Sequence, residues 1–233
     1  MINRELLIGK LSPFLNKREI LVDNQETVDI IDALIKNHHK YMSEYDKIYR
    51  YFDGGNVEET AYNVWQFLKD DFKYTIEPEK MQILRSPAAI LASNLVGIDC
   101  KGYATFANGI MDAYRRNTGK DFEVYYRFAS YDAFDSTPQH VFCVVKDKNI
   151  EYWIDPVLDN FNEKKQPYYF KDKKIKIWSP EVIETLFKGL KKDVSIKSSR
   201  KVSIMKNGVI TALESEEDKA AVAALIKQKQ SEK

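Results

Sequence analysis

Gln139-His140-Val141-Phe142-Cys143-Val144-Val145 and Ile150-Glu151-Tyr152-Trp153-Ile154-Asp155 are two β-rich runs separated by Lys146-Asp147-Lys148-Asn149. Branched and aromatic side chains on both sides of a short polar connection predict an antiparallel hairpin. A two-residue turn at Asp147-Lys148, or the four-residue Lys146 to Asn149 loop, pairs positions whose numbers sum to 295. Val144 then faces Glu151, Phe142 faces Trp153 and His140 faces Asp155. Directly opposed residues share a face with Cβ atoms roughly 4.5 to 5.5 Å apart. A carboxylate in that position would hold the imidazole in one tautomer, stabilise its cation and leave the second ring nitrogen to serve a nucleophile. A purely structural His/Asp pair is the other use of the same geometry. Cys143 falls on the opposite face with Val141 and Val145, as an inert core thiol.

Outward from the hairpin, Phe122 to Ala129 has the same period of two and predicts a third strand after Gly119. Upstream the period is helical. From Asp23, paired with Glu26 as a capping box, apolar residues recur at three- and four-residue steps from Ile31 to Phe52, and Asp53-Gly54-Gly55 ends the run. A helix opens at Asn56 with Glu59 three residues on, and carries Val57, Ala61, Val64, Trp65, Leu68 and Phe72. Ser86-Pro87 opens a short helix, Ala88 to Val96, that Gly97 stops. After the tight turn Gly97-Ile98-Asp99, another helix runs from Cys100 to about Arg116, with Gly102, Ala104, Ala107 and Gly109 permitting close packing. Beyond Trp178 come a helix opened by Ser179-Pro180, a polar stretch from Lys191 to Lys201, a hairpin signal at Asn207-Gly208 and a last helix capped by Ser215. The expected fold class is α+β. The expected organisation is an N-terminal helical region over residues 1–55, a core over 56–190, and a C-terminal appendage of hairpin and helix over 191–233.

Cys100 sits in the first turn of its helix, where unpaired backbone N–H groups and the positive end of the helix dipole favour a nucleophilic sulfur. A small apolar residue filling a helix terminus is the bland alternative. With the hairpin, Cys100, His140 and Asp155 supply nucleophile, base and orienting carboxylate in chain order.

Three segments, Gly97-Ile98-Asp99-Cys100-Lys101-Gly102-Tyr103-Ala104, Pro138 to Val144 and Tyr152-Trp153-Ile154-Asp155-Pro156-Val157, resemble the motifs of the transglutaminase-like superfamily of papain-like cysteine enzymes. The resemblance extends roughly from Ala61 to Asn160, since Val64-Trp65-Gln66-Phe67-Leu68 leading into Phe72-Lys73-Tyr74 is similar to the helix ahead of the family's cysteine. Arg85-Ser86-Pro87 makes it most similar to small transglutaminase-like proteins of bacteriophages and prophages. The resemblance implies a papain-like core in which the helix bearing the nucleophile packs on an antiparallel sheet. It also implies that Cys100 is the nucleophile, His140 the general base and acid, and Asp155 the orienting carboxylate, with the Cys100 backbone N–H as one oxyanion donor. Gln82 is a candidate second donor outside the triad. One departure stands out: the family's glycine two residues before the cysteine is Ile98 here, with Gly97 one position upstream, which is expected to restrict approach over the turn.

Composition bounds the rest. The chain has 233 residues, 44% hydrophobic and 30% charged, enough for one sizeable core, and Lys+Arg 36 against Asp+Glu 35 leaves a net charge of +1. No global field favours nucleic acid, and none is expected as a partner. Lys164 to Lys176 places six lysines around Tyr168, Tyr169 and Phe170. That stretch reads better as a solvated lysine face over a partly buried aromatic strand than as a nucleic-acid surface. Cys100 and Cys143 are not spaced as a metal or disulfide framework, and adjacent His38 and His39 point about 100° apart on a helix. No metal and no cofactor are expected. Charges scattered through Met1 to Ile20 and the lack of a long apolar run predict a cytoplasmic protein, in a host cytoplasm or virion if phage-encoded, with no membrane contact. The expected activity is thiol-dependent acyl transfer on a protein or peptide, hydrolytic first because water needs no second binding site. Transglutaminase-type cross-linking is one alternative. A non-catalytic phage assembly protein that keeps the fold and binds a protein partner through its appendage is the other.

Overall fold

The computed structural model describes residues 2–13, 27–77, 83–93, 95–175, 202–206 and 209–213. The chain divides into two compact units, Met1–Lys176 and Ile177–Lys233. The first is α+β. Its helices are α1 (Arg4–Lys10), α2 (Thr27–Lys40), α3 (Met42–Ile48) followed by a 3-10 turn (Tyr49–Tyr51), α4 (Val57–Asp71), α5 (Pro87–Leu91) and α6 (Cys100–Thr118). Strands β1 (Glu123–Ser130), β2 (His140–Asp147), β3 (Ile150–Ile154) and β4 (Tyr169–Lys174) form one antiparallel sheet in the order β3-β2-β1-β4. In the second unit β5 (Val202–Lys206) pairs antiparallel with β6 (Val209–Leu213), Lys206 opposite Val209. Those strands flank the expected Asn207-Gly208 turn. The turn itself, the Asp23/Glu26 capping box, Gln82, and the helices expected after Ser179 and Ser215 lie outside the described residues.

α6 is the central helix, and its ends follow from local chemistry. Asp99 is its N-cap, accepting from the Gly102 N–H at 3.1 Å, and Gly119 closes it in the left-handed conformation (φ 67°). One face of the sheet, with Val124, Tyr126 and Phe128 of β1, Val141, Cys143 and Val145 of β2, and Tyr152 and Ile154 of β3, joins α6 in the main core. The other face carries a smaller cluster of Ala129, Phe142, Val144 and Trp153. Arg127 closes that face, stacked over the Trp153 and Phe170 rings and ion-paired to Glu151 and Asp172. Tyr168, Tyr169 and Phe170 are themselves exposed, so the aromatic stretch of β4 covers less core than its pattern suggested.

Three sequence expectations are corrected. Within the expected run, the described residues from Thr27 form two helices instead of one: Tyr41 leaves the helical region (φ −111°, ψ 14°), and its N–H is shared between Asn37 O and His38 O. The cause is that each half is pinned to α6 by a different anchor. In α2, buried His38 bonds Asp112 of α6 and Tyr126 of β1, while in α3 the Tyr45 ring lies against Gly109, where a Cβ would meet it at 2.3 Å. The helix opened by Ser86 ends at Leu91 instead of Val96, because Leu95 and Val96 face solvent and have nothing to pack on. Gly97 serves a close approach instead of a helix stop, as described below.

The third correction is the hairpin register. Asp147 pairs with Ile150, so the connection is Lys148-Asn149, with Lys148 left-handed (φ 55°), and paired positions sum to 297 instead of 295. Val144 opposes Trp153 in place of Glu151, and Lys146 opposes Glu151 with a 2.9 Å ion pair. The observed register brings apolar onto apolar and cation onto anion, whereas the expected one set a carboxylate against a valine. Changing the sum by two keeps every residue on its face, because side chains alternate with period two.

Candidate active site

His140 begins β2 and Asp155 directly follows β3. The register makes them diagonal neighbours instead of directly opposed ones, yet both stay on the same face, and His140 Nε2 and Asp155 Oδ2 hydrogen-bond at 2.7 Å. Asp155 is buried and His140 mostly so. The turn after β3 is clamped by α4: the Trp65 indole N–H donates to Asp155 O at 3.2 Å, and Lys69 Nζ donates to Pro156 O and Leu158 O. Asp155 Oδ1 accepts from the Val157 N–H. The carboxylate therefore has a fixed position and one oxygen aimed at the imidazole. By sequence Trp65 reads as an ordinary core residue on the apolar face of its helix. Its clue is that a buried indole N–H must find an acceptor.

Cys100, half-buried, opens α6 and packs against the main core. The turn that delivers it is held by a short parallel bridge. Ile98 N–H donates to Lys73 O at 3.0 Å, and Thr75 N–H donates to Ile98 O at 2.9 Å. Gly97 lies at φ 82°, and a Cβ there would come within 2.1 Å of Thr75 Oγ1 and 2.7 Å of Lys73 O, so only glycine lets the two chains approach this closely. Ile98 is almost fully buried, and its Cβ lies 2.9 Å from the position a Cβ at Gly102 would take. The isoleucine two residues before Cys100 thus sits in the core beneath α6 instead of standing in solvent over the turn. Beside it Lys101 is buried, paired with Asp99 and 3.5 Å from Glu77, which also bonds Arg85.

Cys100 lies close enough to His140 for its charge to act on the imidazole. Burial opposes a charge on His140, but its hydrogen bond to Asp155 and the charges of Asp155 and Cys100 outweigh it, so His140 is pushed up to about 9. With Nε2 committed to Asp155, Nδ1 is the nitrogen left for the sulfur. Tyr131 and Phe142 rings flank the imidazole at 6.2 and 5.7 Å. Tyr74, at the bridge, is a second side chain placed beside the start of α6, where its ring stacks on Tyr103. No sequence signal singles it out, because the contact depends on chain segments meeting at Ile98. The arrangement offers a sulfur, an imidazole that can take or return its proton, and a carboxylate that holds the imidazole.

Cys143 is fully buried on the other face of β2, and burial pushes its thiol well up. His38 and His39 lie away from this site. His38 is engaged by Tyr126 and Asp112, and burial together with the His38 charge lowers His39 to about 4. Among the described residues no group of three His, Cys, Asp or Glu could hold a metal ion, and no helix is long and apolar enough to cross a membrane.

No protein-family model matches the chain, and no curated protein does. Among solved structures the chain is similar to a proposed protease of Parabacteroides distasonis ATCC 8503, at 12% identity and a TM-score of 0.43. The match covers 68% of this chain and 34% of that one, so the chain spans about a third of that protein's length.

Proposed function

We propose that the protein performs thiol-dependent acyl transfer at an amide bond of a protein or peptide, with Cys100 as nucleophile, His140 as general base and acid, and Asp155 as the orienting carboxylate. Water takes the acyl group in this reading, which makes the protein a cysteine peptidase or amidase with a papain-like, transglutaminase-like core. The supporting observation is the His140 imidazole, bonded through Nε2 to Asp155 and raised in part by the charge of Cys100, which opens α6. A structural pair would account for the His140–Asp155 bond alone, whereas the charge of Cys100 is also among the causes that raise His140.

In the first step His140 Nδ1 accepts the thiol proton and Cys100 Sγ adds to the amide carbon, giving a tetrahedral oxyanion beside the N–H groups that open α6. The imidazolium, stabilised by Asp155, returns the proton to the amide nitrogen, the C–N bond breaks, and amine leaves a thioester on Cys100. His140 then deprotonates a water that attacks the thioester, and the thiol and a carboxylic acid are released. An amine in place of water gives the cross-linking alternative through the same thioester.

Mass spectrometry of the protein quenched during turnover of a peptide-ester panel tests this. An acyl adduct on Cys100 that is absent in His140→Ala is expected. Its absence across the panel, with partner assembly but no adduct, would move the non-catalytic assembly reading to first place. Added primary amine captured into product would replace hydrolysis by transamidation.

A further inference from the structure

Tyr74 lies outside the expected triad and on a segment with no regular secondary structure, yet its backbone and its ring are both held against the start of α6. Its backbone forms the parallel bridge with Ile98, two residues before Cys100, through the Lys73 and Thr75 hydrogen bonds. Its ring stacks on Tyr103 of α6, with centroids 6.2 Å apart and planes 12° apart, and the Tyr103 hydroxyl is itself anchored on Phe72 O at 3.0 Å. Gly97 admits this approach, since any side chain there would strike Thr75. Tyr74 is thereby held between Ile98, two residues before Cys100, and Tyr103, three residues after it, on the turn that Cys100 opens.

We propose that Tyr74 is a further catalytic residue, whose neutral hydroxyl donates a hydrogen bond to Cys100 Sγ and shares the negative charge that forms there when the thiol proton passes to His140. This rests on Cys100 being the reacting thiol. A hydroxyl suits the role because it carries no charge to desolvate and cannot compete with the imidazole for the proton. Burial, then the charges of Cys100, Asp155 and Tyr103, push Tyr74 up to about 12, so it remains a donor throughout the range in which an imidazole and a thiol exchange a proton. The groups that face the sulfur are then His140 of β2, with Asp155 behind it, and Tyr74, with Tyr103 of α6 behind it. The imidazolium offsets the sulfur's charge from one side, and Tyr74 adds a donor that leaves the net charge unchanged. Hydrogen bonding to the charged form of an acid favours that form.

The test is the pH profile of Cys100 alkylation by iodoacetamide, read by peptide mapping, in the full chain and in Tyr74→Phe. Phenylalanine keeps the stack on Tyr103 and the backbone bridge, and the tyrosine is 37% exposed, so losing the hydroxyl opens no buried cavity and the variant folds. The expected result is a midpoint displaced upward by about one pH unit, which is roughly tenfold slower labelling at any pH below it. Tyr103→Phe, which removes a hydroxyl bonded to Phe72 O, should leave the midpoint where it was. An unchanged profile in Tyr74→Phe overturns the proposal, as does an equal displacement in Tyr103→Phe. The outcome is separable from the functional reading. A displaced midpoint in a protein that forms no acyl adduct keeps Tyr74 and removes the enzyme, and an adduct with an unmoved midpoint does the reverse.

Discussion

Replacing Asp155 by Asn removes one charge and one acceptor while sparing the turn that carries it. The main-chain oxygen of Asp155 accepts from the Trp65 indole and the Leu158 N–H, and neither bond involves the side chain. Oδ1 accepts from the Val157 N–H at 3.3 Å, which an amide oxygen can also do. What changes is the 2.7 Å bond to His140 Nε2. His140 stands at about 9 against an ordinary 6.5, a difference worth ~3 kcal/mol. Because the folded value lies above the unfolded one, that stabilisation is present in full below about 6.5 and is lost as the pH rises through about 9. In Asp155→Asn the burial that disfavours the cation remains and its main support is gone. We therefore expect most of the ~3 kcal/mol to vanish at pH 6, with little difference between the proteins at pH 10. The amide can also point its N–H at Nε2, which places the ring proton on Nδ1, the side from which the thiol proton must be taken. Turnover should fall by about 10²- to 10⁴-fold. The chain has three histidines, so an NMR titration resolves His140 directly, and urea unfolding at pH 6 and pH 10 gives the stability difference. A folded Asp155→Asn protein whose His140 still titrates near 9, or that turns over at the wild-type rate, would refute the reasoning.

Acyl transfer should decline as the pH rises through about 9, since the imidazolium that protonates the leaving amine is then lost; a rate level well above that pH would remove His140 from the role of acid. Gly97→Ala should destabilise by about 1 to 3 kcal/mol, from its left-handed backbone and the clash with Thr75 and Lys73. Gly119→Ala, also left-handed but in open space, should cost only ~1 kcal/mol; equal urea midpoints for the two variants would contradict the close-approach argument. Iodoacetamide at mildly acidic pH should modify Cys100 at least ~10-fold faster than the fully buried Cys143. His140→Ala should slow only Cys100, and equal rates for the two thiols would count against a reactive site.

Much of the local structure was legible from short stretches of chain. Asn56 caps α4 through the Glu59 N–H, and Ser86 caps α5 through the Ala89 N–H, because a cap needs only a side-chain oxygen and an amide three residues on. The apolar face of α6, the three strands of the second half and the face assignments of His140, Cys143 and Asp155 depend on periodicity alone. Those assignments survived a wrong turn position, since displacing the pairing sum by two preserves parity. Lys146 and Glu151 carry the signal for the true register, because only that register sets their opposite charges across from each other. The split at Tyr41 was hidden because its cause lies in α6, where Gly109 receives Tyr45 and Asp112 receives His38. Tyr74 and Trp65 were hidden for the same reason. A capping bond or an alternating strand is decided by neighbours a few residues apart. A tyrosine beside the turn that Cys100 opens and an indole on Asp155 O are decided by segments 26 and 90 residues apart, which meet only when the bridge at Ile98 closes and α4 packs against the end of β3.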